Sequence, residues 1–245
     1  NTGRERPRHL HVLDVLLVDL VQRAVTLVFE IAGLHCPIFR VFDQFGDVGV
    51  FLDLEPKDSI SELIQERSTF DIDSIKSYMV LHSSGVSVLC APKSPEYADL
   101  ITGEHIEKII NTIRPYFDYV IIDCPPSVGL LTFNALRAAT DVVVPVEMGY
   151  FSLHGLSKQL DTLNALSQQC PERVNVMVLA SMYDIRTKMA REILAELRKH
   201  FSSRMFKTVI NFNTKLKEAA SLGQPISEYD PASKGFKDFL ALADE

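Results

Sequence analysis

The residue best placed to do chemistry in this sequence is Asp123, near the end of the apolar run YVIIDCPPS at residues 119–127. The two prolines in this stretch follow Cys124 and direct the chain off a strand and into the start of a helix. A carboxylate at the end of a buried strand can accept hydrogen bonds from the waters that Mg²⁺ keeps around itself. An aspartate that only caps a turn or a helix would occupy the same position, so the residues alone leave both roles open.

Cys124 is the second candidate, as a nucleophile. A reactive thiolate needs a base or a cation beside it that lowers its pKa. No histidine lies close to Cys124 in the sequence, and no arginine follows at a distance that would cradle a phosphate. The 4 cysteines are widely spaced and form no Cys-x-x-Cys pair, which favours reduced cytosolic thiols over a disulfide framework or a zinc site.

The elements that must position these residues are short, β-branched runs that alternate with amphipathic segments. The runs are 48–54, 86–92, 119–125, 141–147 and 173–181. Each run is apolar on both faces, which is typical of strands that are covered by two helix layers. Helical spacing of apolar residues predicts helices over 103–115, with Thr102 as N-cap, over 152–169 and over 187–201.

This alternation predicts an α/β fold: one doubly wound, mostly parallel sheet with helices on both faces. We interpret residues 1–245 as a single domain whose first 45 residues are atypical. Residues 1–9 are polar and basic without periodicity, and the apolar runs 15–20 and 25–29 fit either two strands or one long helix.

The composition excludes several classes of protein. The 245 residues are 47% hydrophobic and 23% charged, as in an ordinary globular protein, and this excludes disorder as the main state. The net charge of −7 excludes a globally basic nucleic-acid binder. The most apolar stretch, 10–34, is interrupted by charged residues, so we expect no membrane span and a cytoplasmic location.

Residues 186–217 nevertheless carry nine lysines and arginines against two glutamates. A local basic surface on an acidic protein can bind DNA without sequence preference, and the candidate DNA-binding residues are Lys188, Arg191, Lys215 and Lys217. The alternative is a solvated amphipathic helix whose cations only face water.

Several stretches closely resemble the ParA/MinD family of partition ATPases, and its Soj-like members above all. They are residues 119–136, 142–160, 182–201 and 206–236. A further stretch, DQFGDVGVFLDLEP at residues 43–56, is similar to the pilus-positioning branch of the same family. The resemblance implies a deviant P-loop NTPase fold that dimerises around two ATP molecules with Mg²⁺. In this family the ATP state switches the protein between DNA-bound or partner-bound forms and a free form.

The resemblance also implies roles for particular residues. Asp123 matches the Walker B aspartate, which organises Mg²⁺, and Pro125 follows it beside the nucleotide. Arg186, in the MYDxRT turn, and Asn213 match positions near the nucleotide, and Asp43 matches the switch residue that orients the attacking water. Without the resemblance, the amide of Asn213 would equally serve to satisfy neighbouring backbone groups.

The chain departs from the family at the P-loop, a glycine-rich turn of the form KGGxGKT whose backbone N–H groups cradle phosphates. This sequence contains no Gly-Lys dipeptide, and its first lysine is Lys57. Two functions of different class remain open. The first is a ParA-like ATPase that binds ATP and Mg²⁺, forms a homodimer, holds non-specific DNA and responds to a ParB-like activating partner. The second is a degenerate, non-hydrolysing scaffold in polar or pilus positioning.

The peptide TGRERPRH at residues 2–9 suggests why the P-loop is missing. One set of codons for this peptide, read from its third base onward, encodes Gly-Ala-Gly-Lys-Thr-Thr-Thr, which is a P-loop core. We therefore hypothesise that the opening segment is translated out of frame. Sequencing the coding DNA with its flanks tests this hypothesis, because codons that do not permit the shifted reading would exclude it.

Overall fold

A computed structural model describes the chain over residues 13–18, 38–41, 52–83, 85–92, 94–124, 130–149, 161–162, 165, 168 and 174–245. The strands in these ranges are β1 (Leu13–Val18), β2 (Ile38–Val41), β3 (Met79–Leu81), β4 (Ser87–Leu89), β5 (Tyr119–Cys124), β6 (Asp141–Glu147), β7 (Asn175–Tyr183) and β8 (Met205–Asn211). The helices are α1 (Ile60–Glu66), α2 (Ile72–Ser77), α3 (Gly103–Ile113), α4 (Leu130–Ala138), α5 (Lys188–Phe201), α6 (Thr214–Ser221), α7 (Ile226–Tyr229) and α8 (Lys234–Ala243).

The strands pair into one 8-stranded sheet with the order β3-β4-β2-β5-β1-β6-β7-β8. Every pair in this sheet is parallel except β3 with β4. Strands β2 to β5 lie on one side of β1 in the strand order, and β6 to β8 lie on the other side. The direction of winding therefore reverses after β5. The predicted doubly wound, mostly parallel α/β fold is therefore confirmed.

The core consists of two apolar clusters, one on each face of the sheet. Val120 and Ile122 of β5 contribute to the first cluster, which includes the buried isoleucines of α3, whereas Ile121 contributes to the second with Phe239 of α8. Successive side chains of a strand point to opposite faces, so a strand between two clusters must be apolar at every position. This explains why the run YVII is continuous rather than alternating.

Several predicted elements are confirmed, with shifted bounds. Strands β4, β5, β6 and β7 lie in four of the predicted runs, and α3 and α5 lie in two of the predicted helices. Thr102 caps α3 as expected, because its side chain accepts the backbone N–H of His105 at 3.3 Å. In the first 45 residues, the run at 15–20 overlaps β1, a strand, whereas the run at 25–29 and nearly all of the helix at 152–169 lie outside the described residues.

The strand predicted over 48–54 is wrong in its described part, Leu52–Leu54. Asp53 has a φ of 49°, and this left-handed backbone turns the chain where a strand would need extended geometry. Gly223 makes the close approach at this turn possible, since a Cβ on Gly223 would lie 2.7 Å from the Cβ of Asp53. Leu52 is buried in the second cluster, so the apolar residue serves the core without belonging to a strand.

Strand β8 was not predicted, and it forms one edge of the sheet. Carboxylates occupy backbone N–H groups of this edge. The N–H groups of Lys207 and Thr208 donate to the Glu245 carboxylate at 2.8 and 2.9 Å, and the N–H of Asn211 donates to Asp238 at 2.9 Å. Helix α8, which carries Asp238, therefore covers β8 by hydrogen bonds as well as by packing.

Within the described ranges, none of the helices combines the length and the hydropathy that crossing a lipid bilayer requires.

Candidate functional site

Asp123 lies where an open α/β sheet binds ligands, beyond the carboxyl ends of the strands at the point where the chain changes sides. It is the next-to-last residue of β5 and pairs in register with Leu17 of the neighbouring strand β1. Its side chain is only 1% exposed. Helix α4 begins at Leu130, seven positions further on, so Asp123 belongs to the strand and does not occupy the N-cap position of α4.

A single carboxylate at this position fits a bound magnesium ion. Mg²⁺ usually keeps several waters and binds through one or two carboxylates plus the phosphates of its substrate. The described residues contain no group of three or more histidine, cysteine, aspartate or glutamate side chains that could hold a metal by themselves. At such a site Asp123 would supply one carboxylate, and waters and the phosphates of a ligand would supply the other oxygens.

The donors that such a ligand would need for its phosphates are not found among the described residues. Strand β1 lies beside β5, and the chain that leaves β1 runs through residues 19–37. This segment contains one glycine, Gly33, and no lysine, and it lies outside the described residues. The site thus fits Mg²⁺ at Asp123, but this sequence lacks the glycine-rich, lysine-bearing turn that cradles a triphosphate.

Cys124 has the properties of a packed core thiol. Burial, and secondarily the negative charge of Asp123, raises the pKa of the Cys124 thiol well above its usual value of 9. A thiol in this environment stays protonated at neutral pH and is a poor nucleophile. The interpretation of Cys124 as a catalytic residue therefore finds no support.

Arg186 also lies at the carboxyl end of the parallel strands, in the turn between β7 and α5. Its guanidinium binds Asp184 through two contacts, from Nε to Oδ1 at 2.9 Å and from Nη2 to Oδ2 at 2.7 Å, and the side chain is 79% exposed. Strand β7 is three positions from β5 in the sheet, a separation of about 14 Å at the usual strand spacing. Arg186 and Asp123 thus lie at the same end of the strands but are not in contact.

Asn213 is the N-cap of α6, because its side-chain oxygen accepts the backbone N–H of Lys215 at 2.8 Å. This is the local role that the residue type alone suggested. The loop lies next to the Arg186 turn, since the N–H of Phe212 donates to the carbonyl of Tyr183 at 2.9 Å. The structure therefore brings Asn213 and Arg186 to neighbouring loops, and it leaves Asp43 and Pro125 outside the described residues.

Two features at the end of β7 were missed by the sequence analysis. Met182 has a φ of 52°, in the left-handed region that a methionine rarely adopts, at a shift in the register between β7 and β8. Ser181 is 1% exposed, and its Oγ has no hydrogen-bond partner among the described residues. Strained backbone and unpaired buried hydroxyls concentrate at functional sites, so we add both residues to the candidate site.

The nine cations of residues 186–217 do not form one surface. Lys188 and Arg191 lie in the first turn of α5, which follows the Arg186 turn, and Lys215 and Lys217 lie in the first turn of α6, which follows the neighbouring strand β8. We call these five residues the cationic surface. The other cations lie at the far end of α5 and at the amino end of β8, about 15 Å from Lys188 at the rise of an α-helix.

Each described cation of this surface already has a local contact. Lys188 pairs with Glu192 at 3.4 Å, and Arg191 donates to the carbonyl of Ile185 at 2.7 Å. Lys217 lies over the ring of Phe212, 4.9 Å from its centre. These side chains are at the surface, where such contacts are weak and easily exchanged for others.

The contact between Arg186 and Asp184 predicts a titration. Hydrogen bonds from the side chain and the backbone of Arg186 lower the pKa of Asp184 to about 2. Asp184 therefore stays ionised in the pH range where an ordinary aspartate protonates. We expect the Arg186→Ala variant to raise its pKa towards 3.8, measured by carboxyl carbon chemical shifts between pH 3 and pH 6. Equal titration curves in the two proteins would show that the pair does not form in solution.

Residues 13–176 match the AAA_31 family model, which describes an AAA domain. The chain is 36% identical over 185 residues to the sporulation initiation inhibitor protein Soj of Bacillus subtilis, covering 75% of this chain and 73% of that protein. It is 37% identical over 142 residues to the chromosome-partitioning ATPase Soj of Treponema pallidum, covering 58% of this chain and 56% of that relative.

Solved structures share the fold at low sequence identity. The ParA family ATPase from Chlorobium tepidum has a TM-score of 0.76 at 14% identity, over 97% of this chain and 99% of that chain. The septum site-determining protein MinD from Pyrococcus horikoshii, solved as a complex with Mg-ADP, has a TM-score of 0.73 at 15% identity, over 96% of this chain and 95% of that chain.

Proposed function

Because the chain belongs to the ParA/MinD family of partition ATPases, we propose that it is an ATP-dependent dimer switch that binds DNA non-specifically in chromosome or plasmid partition. One observation carries the proposal: a buried carboxylate, Asp123, is the next-to-last residue of the central strand β5, after which the order of the strands in the sheet reverses. A buried carboxylate is costly, and Mg²⁺ offsets that cost when a nucleotide binds.

In this proposal the cofactors are ATP and Mg²⁺, and the protein's own contribution is positioning and charge neutralisation. Asp123 accepts hydrogen bonds from the waters of Mg²⁺. Asp43 orients the attacking water, and Pro125 is a further nucleotide-binding residue. Arg186, Asn213 and the end of β7 lie at the same carboxyl end of the sheet, further from Asp123.

The proposed DNA site is the cationic surface, with Lys188, Arg191, Lys215 and Lys217 contacting phosphates and Arg186 beside them. The first turns of α5 and α6 follow the carboxyl ends of the adjacent strands β7 and β8, on opposite faces of the sheet. A dimer would present two such surfaces and so increase the number of phosphate contacts. The implied partners are a second copy of the chain, nucleoid DNA and a ParB-like protein that activates hydrolysis.

A specific observation also favours the second function, a scaffold that does not hydrolyse ATP. The sequence has no Gly-Lys dipeptide, and residues 19–37 after β1 contain no lysine. A chain that keeps the fold and its partner surfaces but cannot hold a triphosphate would act by binding alone, in polar or pilus positioning. The stretch at 43–56 points to that branch.

Thermal unfolding with and without ATP and Mg²⁺ distinguishes the two functions. A ligand at 100 times its dissociation constant stabilises the folded state by about 2.7 kcal/mol, so the ATPase proposal predicts a clear rise of the melting temperature. ATP with EDTA is the control for the magnesium-dependent part. The absence of any rise would contradict the ATPase proposal and favour the scaffold.

A second version of the chain sharpens this test. Residues 19–25, directly after β1, are replaced by Gly-Ala-Gly-Lys-Thr-Thr-Thr, so that a P-loop core stands where the chain leaves this strand. If only this version responds to ATP and Mg²⁺, the rest of the chain retains a nucleotide site and the missing turn alone prevents binding. If neither version responds, the proposed nucleotide site at Asp123 is wrong.

A further inference from the structure

Lys215 of the cationic surface is held by a carboxylate on its own helix. Its Nζ lies 2.7 Å from Oε2 of Glu218, three positions along α6. The same oxygen accepts a hydrogen bond from the hydroxyl of Tyr229 in α7 at 2.7 Å. The ammonium group also lies 5.7 Å from the centre of the Tyr229 ring. Tyr229 therefore fixes the carboxylate from a second helix, and the carboxylate fixes the lysine.

This arrangement is more than an incidental surface ion pair. Two hydrogen bonds converge on one oxygen of Glu218, so the side chain loses the freedom that usually weakens an exposed pair. The hydrogen bonds from Lys215 and Tyr229 hold the pKa of Glu218 below its usual value, so the carboxylate is charged at every physiological pH. A phosphate that approaches Lys215 therefore meets a fixed negative charge beside it.

We propose that Glu218, oriented by Tyr229, competes with DNA phosphates for Lys215 and so keeps the binding of duplex DNA to the cationic surface weak. The inference rests on the proposed function, since it concerns the DNA that this surface would hold. Glu218 and Tyr229 are positioning residues, because they act through Lys215. If each subunit contacts DNA weakly, DNA stays bound only while several subunits bind it together. A switch of this kind releases DNA when its subunits separate.

The test is DNA binding by the full chain, with a fluorescently labelled duplex of random sequence titrated at several salt concentrations. We expect Glu218→Gln to raise the affinity about fivefold at low salt and to steepen the salt dependence, because one more phosphate is neutralised. Tyr229→Phe leaves the charge unchanged and only releases the carboxylate, so a rise of about twofold is expected. When Lys215 is already alanine, adding Glu218→Gln should raise the DNA affinity much less than it does in the parent chain.

The matched control is Glu104→Gln. Glu104 forms the same kind of exposed pair, with Lys108 at 2.6 Å, on α3, which packs in the cluster on the other face of the sheet. This variant changes the net charge equally and should leave the affinity unchanged. Thermal unfolding of every variant confirms that the fold is retained.

Three outcomes would overturn the inference. Glu218→Gln could bind DNA no more tightly than the parent chain, or Glu104→Gln could gain as much, which would make the effect one of net charge. In both cases the parent chain still binds DNA and the proposed function stands. If neither the parent chain nor any variant binds DNA, with or without ATP and Mg²⁺, the proposed DNA function fails together with the inference.

Discussion

Replacing Asp123 by asparagine is expected to lower the affinity for ATP with Mg²⁺ by about 100-fold, the upper range for losing a group that supports a metal. Asparagine keeps the shape of the side chain but removes the negative charge that attracts the cation. The fold should persist, because Asp123 is 1% exposed and burial disfavours the charged form that the substitution removes. Isothermal titration of ATP with and without Mg²⁺ measures the effect, in the version of the chain that responds to ATP.

The control for this prediction is Asp141→Asn. Asp141 begins β6, two strands away from β5, and it accepts a hydrogen bond from Asn175 at 2.9 Å. This variant changes one carboxylate to an amide without approaching the proposed site, and its magnesium-dependent affinity should equal that of the parent chain. An Asp123→Asn protein that binds ATP with Mg²⁺ as tightly as the parent would show that Asp123 has a structural role only.

The second large effect is expected in the core. Phe239 of α8 is 0% exposed and packs with Ile121, Leu179 and Ile210 in the second apolar cluster. Phe239→Ala removes most of a buried aromatic side chain and leaves a cavity, which typically costs about 3–5 kcal/mol of the free energy of unfolding. Urea unfolding of the two proteins, followed by circular dichroism, measures this loss.

Two further variants calibrate that measurement. Phe239→Leu fills much of the same volume and should cost clearly less than alanine. Tyr116→Ala removes a ring that is 53% exposed and should change the free energy of unfolding by about 0.5 kcal/mol or less. A loss below about 1 kcal/mol for Phe239→Ala would mean that α8 does not cover the sheet in solution.

The fold was largely predictable because its central strands carry a local signature. Along most of β5 and β6 the residues on both faces of the strand meet an apolar layer, and this produces continuous β-branched runs that no helix or loop requires. Strand β8 was missed because an edge strand carries Lys207 and Thr208 between its apolar residues, and such a pattern is not distinct from that of a loop. The strand at 48–54 was wrongly extended over Leu52, since hydropathy cannot reveal the left-handed turn at Asp53.

The candidate site was predictable only where the side chain and the strand end coincide, as at Asp123. The strain at Met182 depends on how β7 and β8 adjust their register, and the burial of Ser181 depends on layers that are distant in sequence. The basic stretch illustrates the same limit. Neighbours in sequence such as Arg191 and Arg198 lie at different ends of α5, whereas the loops that precede α5 and α6 are neighbours because β7 and β8 are adjacent.

The carboxylates that accept hydrogen bonds from the backbone of β8 also restrict how two copies of the chain can assemble. An uncovered edge strand invites another chain to continue the sheet, the route that leads to fibrillar aggregates. Burial raises the pKa of Glu245, but hydrogen bonds from the Lys207 and Thr208 backbone outweigh it and hold the pKa below its usual value. The hydrogen bonds from β8 to Glu245 therefore persist through mildly acidic conditions and are lost only when the carboxylate protonates in stronger acid. In the proposed dimer we accordingly expect the two copies to pair through a surface other than this margin of the sheet.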